Sequence, residues 1–251
     1  MVKLNDLVSH CDDLLEVDRF RDYCPNGLQV QGKDQIETIV SGVTACQGLI
    51  DAAIEKKADA ILVHHGYFWK GEDARIVGLK RRRLQALLKA DISLLAYHLP
   101  LDAHPVLGNN AQLAQKLGFG IEGQFGREQP AIGLYGSLES AIPVEQFLAV
   151  VQEQLEREPL HIAGDLKQIQ RVAWCTGSAQ SYIDQAVELG VDLFLSGEIS
   201  EQTTHIARET GIHYVAAGHH ATERYGVQAL GARLAEDFDI NHFYVDIDNP
   251  V

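Results

Sequence analysis

The chain has 251 residues, 46% hydrophobic and 22% charged, enough to bury a sizeable core and too apolar for a disordered segment. Its formal net charge of −14 repels nucleic acid and anionic membrane at long range. No stretch approaches the ~20 uninterrupted apolar residues of a membrane-spanning helix, and four scattered cysteines without a CxxC pair argue against a disulfide framework or a thiolate zinc site.

The first segment, MVKLNDLVSHCDDLLEV, lacks the basic-then-apolar order of a signal peptide and reads as an amphipathic helix, so a cytoplasmic protein is expected. Residues 38–43 (TIVSGV) read as a strand, and 47–57 as a helix with Leu49, Ile50, Ala53 and Ile54 on its apolar side. Residues 60–63 (AILV) are the next strand. A helix follows, opened by the basic run Lys80–Arg83, which reads as a solvated face ahead of a phosphate or partner contact. Residues 91–96 (DISLLA) form a third strand. Strands alternating with helices imply mainly parallel sheet flanked by helices, an α/β fold. The glycine-dense stretch 118–126 followed by Pro130 reads as a domain edge. It divides the chain into a domain over 1–125 and a second over 126–225. The segment 226–251, with a helix over 226–238 and a strand over 240–248, is expected to rejoin the first domain, and the sequence leaves open which sheet that strand joins.

An internal repeat organises the sequence. At an offset of 133, residues 36–66 lie over 169–199 without a gap, pairing Gln47/Gln180, Ile50/Ile183, Asp51/Asp184, Ala53/Ala186, Glu55/Glu188, Asp59/Asp192 and Leu62/Leu195. At an offset of 121, AYHLPLD (96–102) lies over AGHHATE (217–223), both reading A-x-H-x-x-x-acid. Two related α/β domains are expected, with a metal site between them.

Six of the eleven histidines fall in three clusters, each directly after an apolar strand: His64-His65, His98 with His104, and His219-His220. Ligands of parallel sheets bind at the carboxyl ends of strands. Adjacent strand residues point to opposite faces, so His64 and His65 share a centre only at a strand end, with Gly66 releasing the backbone. His219 and Glu223, four apart, project from one face of a helical turn. Asp102 is expected on a loop, because Pro100 disfavours helix there. Imidazole with carboxylate suits Zn, Mn, Fe, Co or Ni, and acids offset the repulsion between two dications. His64, His65, Asp102, His219 and Glu223 are therefore the expected metal ligands. His98 is either a further ligand or a proton shuttle, while His104 and His220 read as ordinary surface or core residues. Tyr67, Trp69 and Lys70 beside the cluster suit a planar, anionic substrate, and packing explains the aromatics equally well.

These residues, with Pro25-Asn26-Gly27-Leu28-Gln29-Val30, Gly42-Val43-Thr44-Ala45, Gly108-Asn109-Asn110 and Ser196-Gly197-Glu198, resemble the Nif-three-like family, the GTP cyclohydrolase I type 2 homologues, along nearly the whole chain. The resemblance implies two related α/β domains, a dinuclear metal centre and a homohexamer built as a trimer of dimers. It places the family's metal-binding positions on the same five residues and implies a short bacterial form without an inserted domain. The family name implies a hydrolase that opens the guanine ring of GTP. No GxxxxGK[ST] phosphate cradle is present, so triphosphate contacts would fall to Lys70, the 80–83 run or another subunit. A phosphoesterase or amidohydrolase on the same metals, and a non-enzymatic metal-binding ring that holds protein or nucleic acid, are the rival expectations.

Overall fold

The structure is a computed structural model that describes residues 1–127 and 129–251. The chain opens with β1 (Val2–Lys3), α1 (Leu4–Leu14), β2 (Gly27–Val30) and β3 (Gln35–Ile36). There follow β4 (Thr38–Thr44), α2 (Gln47–Glu55), β5 (Ala60–His65), α3 (Gly78–Ala90), β6 (Ser93–Ala96) and α4 (Leu99–Ala103). Next come α5 (Asn109–Leu117), β7 (Gly120–Phe125), β8 (Gly133–Pro143), α6 (Val144–Leu155) and β9 (Leu160–Ile162). Then β10 (Gln168–Cys175), α7 (Ile183–Glu188), β11 (Leu193–Ser196), α8 (Glu201–Thr210), β12 (His213–Ala216) and α9 (His219–Thr222) repeat the earlier alternation. The last elements are α10 (Arg224–Phe238) and β13 (Asn241–Tyr244). Among the described residues no helix is long and apolar enough to cross a membrane.

The chain forms two compact units, Met1–Leu101 with Gly226–Asp248, and Asp102–Tyr225 with Asn249–Val251. The first holds a five-stranded sheet in the order β13-β4-β5-β6-β2, in which β2 alone runs antiparallel. Its central strands are buried on both faces, as in β4, where Ile39, Val40, Ser41 and Val43 are all enclosed. One core joins Val40, Leu49, Ile50, Ala53, Ile61, Val63, Leu84, Leu87 and Leu94. Ile54, expected on the buried side of α2, is 41% exposed, because the stripe that faces the sheet is carried by Leu49, Ile50 and Ala53.

The second unit holds a six-stranded sheet in the order β7-β8-β10-β11-β12-β9. Its middle strands β10, β11 and β12 are parallel, and β7, β8 and β9 run antiparallel. The α/β class is as expected, with parallel strands at the centre of each sheet and antiparallel strands at every edge except that of β13, which pairs parallel with β4. Trp174 is fully buried against Phe119, ring centroids 4.7 Å apart, in a core that includes Phe147, Leu193, Leu195 and Val215. Each such side chain contributes about 1.5–3 kcal/mol on burial. The boundary differs from the one expected after residue 125. The glycine-dense stretch is not a linker: Gly120–Phe125 pairs along β8, whose Gly136 admits a close backbone approach to Gly120. Residues 102–125 therefore belong to the second sheet and its helices.

The repeat is realised element by element. In β4–β5 Ile39 faces Ala60, and in β10–β11 Val172 faces Leu193, both at the offset of 133. The Asp59 carboxylate accepts from the N–H groups of Glu37 and Thr38 at 3.0 and 3.1 Å. Asp192 accepts from those of Gln170 and Arg171, both at 2.8 Å. The third strand departs from the offset read in the sequence. Ala96 faces Val63 and Ala216 faces Ser196, so the ladder register puts Ala96 over Ala216 and the offset at 120. His98 thus lies over Gly218. Matching His98 with His219 needs a one-residue slip, which in a strand would reverse every side chain.

Candidate metal centre

In the first unit the β5–β6 ladder ends at Val63, and His64 and His65 follow at the strand tip. The buried His64 and half-buried His65 have ring centroids 4.5 Å apart, and His98 lies 5.1 and 5.8 Å from them. Each offers one ring nitrogen, and the three nitrogens lie within 4.8 Å of one another. Gly66 acts through space and not through backbone freedom. A Cβ there would meet Gln29 Oε1 at 2.2 Å and Ala96 Cβ at 2.6 Å. Gln29 in turn accepts from the Tyr67 N–H at 2.7 Å, so the Pro25–Val30 motif braces the strand tip.

Every imidazole of this cluster is anchored through Nδ1. That of His64 lies 2.9 Å from the Tyr97 carbonyl, that of His65 lies 3.3 Å from Thr44 Oγ1, and that of His98 lies 2.7 Å from Asp22 Oδ1. Nothing in the sequence marks Asp22, which sits in an irregular segment with no periodicity. Burial opposes ionisation of its carboxyl, but His98, Asn26 and the Leu99 N–H hold it down at about 2.

In the second unit His219 opens α9 and Glu223 closes it. His219 Nε2 is 3.1 Å from Glu223 Oε2, and His219 Nδ1 is 2.6 Å from Glu198 Oε1. Burial works against the imidazolium, yet Glu223 and then Glu198 push the His219 pKa up to about 9, so this position favours a cation. Glu198 has a signal in the sequence: the repeat places it over His65, at the tip of the equivalent strand. Asp102 is buried and lies in α4, not on a loop, because Pro100 occupies the first turn, where its missing N–H costs nothing. Its Oδ1 accepts from Asn109 Nδ2 at 2.9 Å and from Thr176 Oγ1 at 3.3 Å. Asn110 Oδ1 accepts from the Thr176 N–H at 3.0 Å, which fixes the following loop. Gly177 in that loop has φ +67°, and a Cβ there would lie 2.1 Å from Glu223 Oε1 and 3.2 Å from His219 Nε2. One glycine turn thus packs beneath two of the expected ligands.

The remaining candidates separate. Tyr67 is a core residue: it is buried, and its hydroxyl donates to the Ala45 carbonyl at 2.7 Å, which removes it from any substrate surface. Trp69 stays beside the cluster, its ring 5.0 Å from His98 and 5.9 Å from His65. Lys70 is exposed. Lys80 is tied to Glu72 at 3.3 Å and lies over the Phe68 ring, whereas Arg81 and Arg82 face solvent. His104 Nδ1 accepts from the N–H groups of Val106 and Leu107, a turn-forming role. The His220 N–H donates to the Val251 carbonyl.

A duplicated α/β protein with anchored imidazoles and buried carboxylates at its strand tips defines a class, that of α/β proteins whose strand ends offer groups able to hold a metal ion. Residues 2–250 match the Duf34/NIF3 family (NGG1p interacting factor 3), and the chain belongs to that family. A Pseudomonas aeruginosa protein named GTP cyclohydrolase 1 type 2 homolog is 57% identical over 250 residues, covering 99% of both chains. An Allochromatium vinosum protein of the same name is 54% identical, over 100% of this chain and 98% of its own. Of solved structures, the structural-genomics protein ybgI, of unknown function, matches with TM-score 0.96 at 49% identity over 100% of both chains. One from Thermus thermophilus matches with TM-score 0.89 at 31% identity, again over 100% of both.

Proposed function

We propose that the chain is a metal-dependent hydrolase in which His64, His65, Asp102, His219 and Glu223 hold two divalent transition-metal ions, and that its substrate is GTP. The observation that carries the reading is the common anchoring of His64, His65, His98 and His219 through Nδ1 to a carbonyl, a hydroxyl or a carboxylate. Such partners fix the tautomer of metal-binding imidazoles and orient Nε2 as the donor. The donor set of imidazole and carboxylate without thiolate fits Zn, Mn, Fe, Co or Ni. Ions of this kind supply Lewis-acid charge and lower the pKa of water toward neutrality.

The chain's own residues divide the remaining work. His98, backed by Asp22, takes a proton at Nε2 and returns it to the leaving group. Trp69 screens that imidazole from bulk water. Lys70, with Arg81 and Arg82, supplies positive charge for a triphosphate. The name shared by the relatives above supports opening of the guanine ring as the reaction. The hexamer that the family resemblance implies belongs to the same proposal, as does a cytoplasmic location, which suits scattered cysteines.

The test is formate release from GTP by Mn-, Fe- and Zn-loaded protein. Turnover abolished by His65→Ala, with the oligomer intact in sedimentation, supports the enzyme. Substantial metal loss in Asp102→Ala and Glu223→Ala supports the ligand set, and unchanged metal content defeats it. Hydrolysis only of phosphoesters or amides transfers the reading to a different substrate. The exposed Arg81 and Arg82 favour one rival, a non-enzymatic metal ring that binds nucleic acid. Salt-sensitive DNA retention without turnover on any metal would establish it.

A further inference from the structure

The segment around Asp22 and Asn26 carries polar side chains that the ligand set does not use, and all of them converge on His98. Asp22 is nearly enclosed, its side chain 3% exposed. Its Oδ1 lies 2.7 Å from His98 Nδ1. Its Oδ2 accepts from Asn26 Nδ2 and from the Leu99 N–H, both at 2.9 Å. Asn26 completes the loop, because its Oδ1 accepts from the His98 N–H at 2.7 Å. Two fixed donors therefore face one carboxylate oxygen, and the other oxygen takes the imidazole together with the Tyr23 N–H at 2.6 Å.

We infer that Asp22 is a positioning residue that fixes His98 as the Nδ1–H tautomer and so presents its Nε2 lone pair beside His64 and His65. A carboxylate has acceptors only, so Nδ1 facing it carries the proton and the lone pair falls on Nε2. Asn26 and Leu99 determine which carboxylate oxygen remains available, and they tie the backbone at His98 and Leu99 to the same group. The Pro25-Asn26-Gly27 motif thereby acquires a function at a distance, since it sets the chemical state of one imidazole.

Asp22→Asn is the decisive variant, because its amide is nearly isosteric but has one donor end. The two N–H donors from Asn26 and Leu99 outnumber the single Tyr23 N–H on the other side and hold the amide oxygen toward themselves. The NH₂ group is then turned toward His98, where Nδ1 must accept, and the ring proton moves to Nε2. The inference rests on the reading that these imidazoles serve a cation centre, but the tautomer can be measured without any metal.

Long-range ¹H–¹⁵N correlation spectra of the full chain, stripped of metal at about pH 9 so that ordinary imidazoles are neutral, report which His98 nitrogen is protonated. Nδ1–H in the wild type and Nε2–H in Asp22→Asn are expected. GTP turnover of the metal-loaded chain should fall about 100–10,000-fold in the variant with metal content unchanged, because an Nε2–H imidazole has no lone pair with which to take the proton. A wild-type chain with Nε2–H overturns the inference by itself, even where the variant does not fold. A folded Asp22→Asn chain that keeps Nδ1–H overturns it equally. The expected tautomer exchange in a chain that binds no transition metal would leave the role of Asp22 intact and defeat only the hydrolase reading.

Discussion

Replacing Gly177 by alanine tests the loop beneath His219 and Glu223 more sharply than removing either ligand, because it adds one methyl group and no charge. The added Cβ would lie 2.1 Å from Glu223 Oε1, against a carbon–oxygen contact of about 3.3 Å, so the carboxylate must retreat by about 1 Å. The left-handed backbone at φ +67° adds a cost of about 1–3 kcal/mol for a non-glycine residue. Overpacking a closed site adds about 1–3 kcal/mol more. The sum, about 2–6 kcal/mol, lowers the Tm of a chain of this length by roughly 5–20 °C. Metal sites tolerate displacements of only about 0.2 Å in ligand distance, so the same shift should deplete bound metal. Circular dichroism melting and elemental analysis on one preparation read both effects. An alanine variant that melts within about 1 °C of the wild type and keeps its full metal content would refute the close-packing argument.

Three further outcomes concern the repeat and the imidazole partners, and a fourth concerns the aromatic tract. Asp59→Ala and Asp192→Ala each remove a carboxylate that holds two backbone N–H groups and should each cost about 1.5–3 kcal/mol in urea unfolding, the near-equality reflecting their equivalent places in the repeat. Lys33 and the N–H groups of Glu37 and Thr38 overcome burial and lower the Asp59 pKa, so its stabilisation is complete above the ordinary carboxylate pKa of about 4 and is lost as pH falls through the lower folded value; Asp59→Asn should lack that acid-side loss in a pH series of unfolding curves. Glu198→Gln should weaken metal binding about 10–100-fold in a dye competition, because His219 loses the carboxylate that orients it. Tyr67→Phe should cost about 1–3 kcal/mol by stranding the buried Ala45 carbonyl, with metal content unchanged; loss of metal would return Tyr67 to the site.

The central strands and the helices between them were legible because burial on both faces writes continuous apolar runs, as in AILV at 60–63. The duplication was legible for a similar reason: Asp59 and Asp192 keep a structural duty at one strand edge, and Ile50 and Ile183 keep a core position. What escaped was antiparallel and irregular. Strands β2, β7 and β8 carry glycines, β9 is only three residues long, and the pairing of β2 and β9 depends on partners distant in sequence. The single-residue difference at the third strand escaped because A-x-H-x-x-x-acid matches by letters, while register is set by the ladder at Val63–Ala96 and Ser196–Ala216. Asp102 was misplaced because a proline two residues ahead stops a helix only when it lies beyond the first turn. Asp22 and Glu198 hold imidazoles in place, and such partners follow no local spacing rule; only Glu198 had signals in the sequence, its place over His65 in the repeat and the Ser196-Gly197-Glu198 motif.

The paired aspartates at 59 and 192 have a consequence for how the molecule diversified. Both copies kept the aspartate at the amino-terminal rim of the sheet, down to the two amides each carboxylate receives. At the opposite rim the copies diverged completely, to His64-His65 in one and Gly197-Glu198 in the other. Architecture and chemistry thus occupy opposite poles of one repeating module. A graft that exchanges only the strand tips should therefore reprogram the reactive edge and leave the foundation standing.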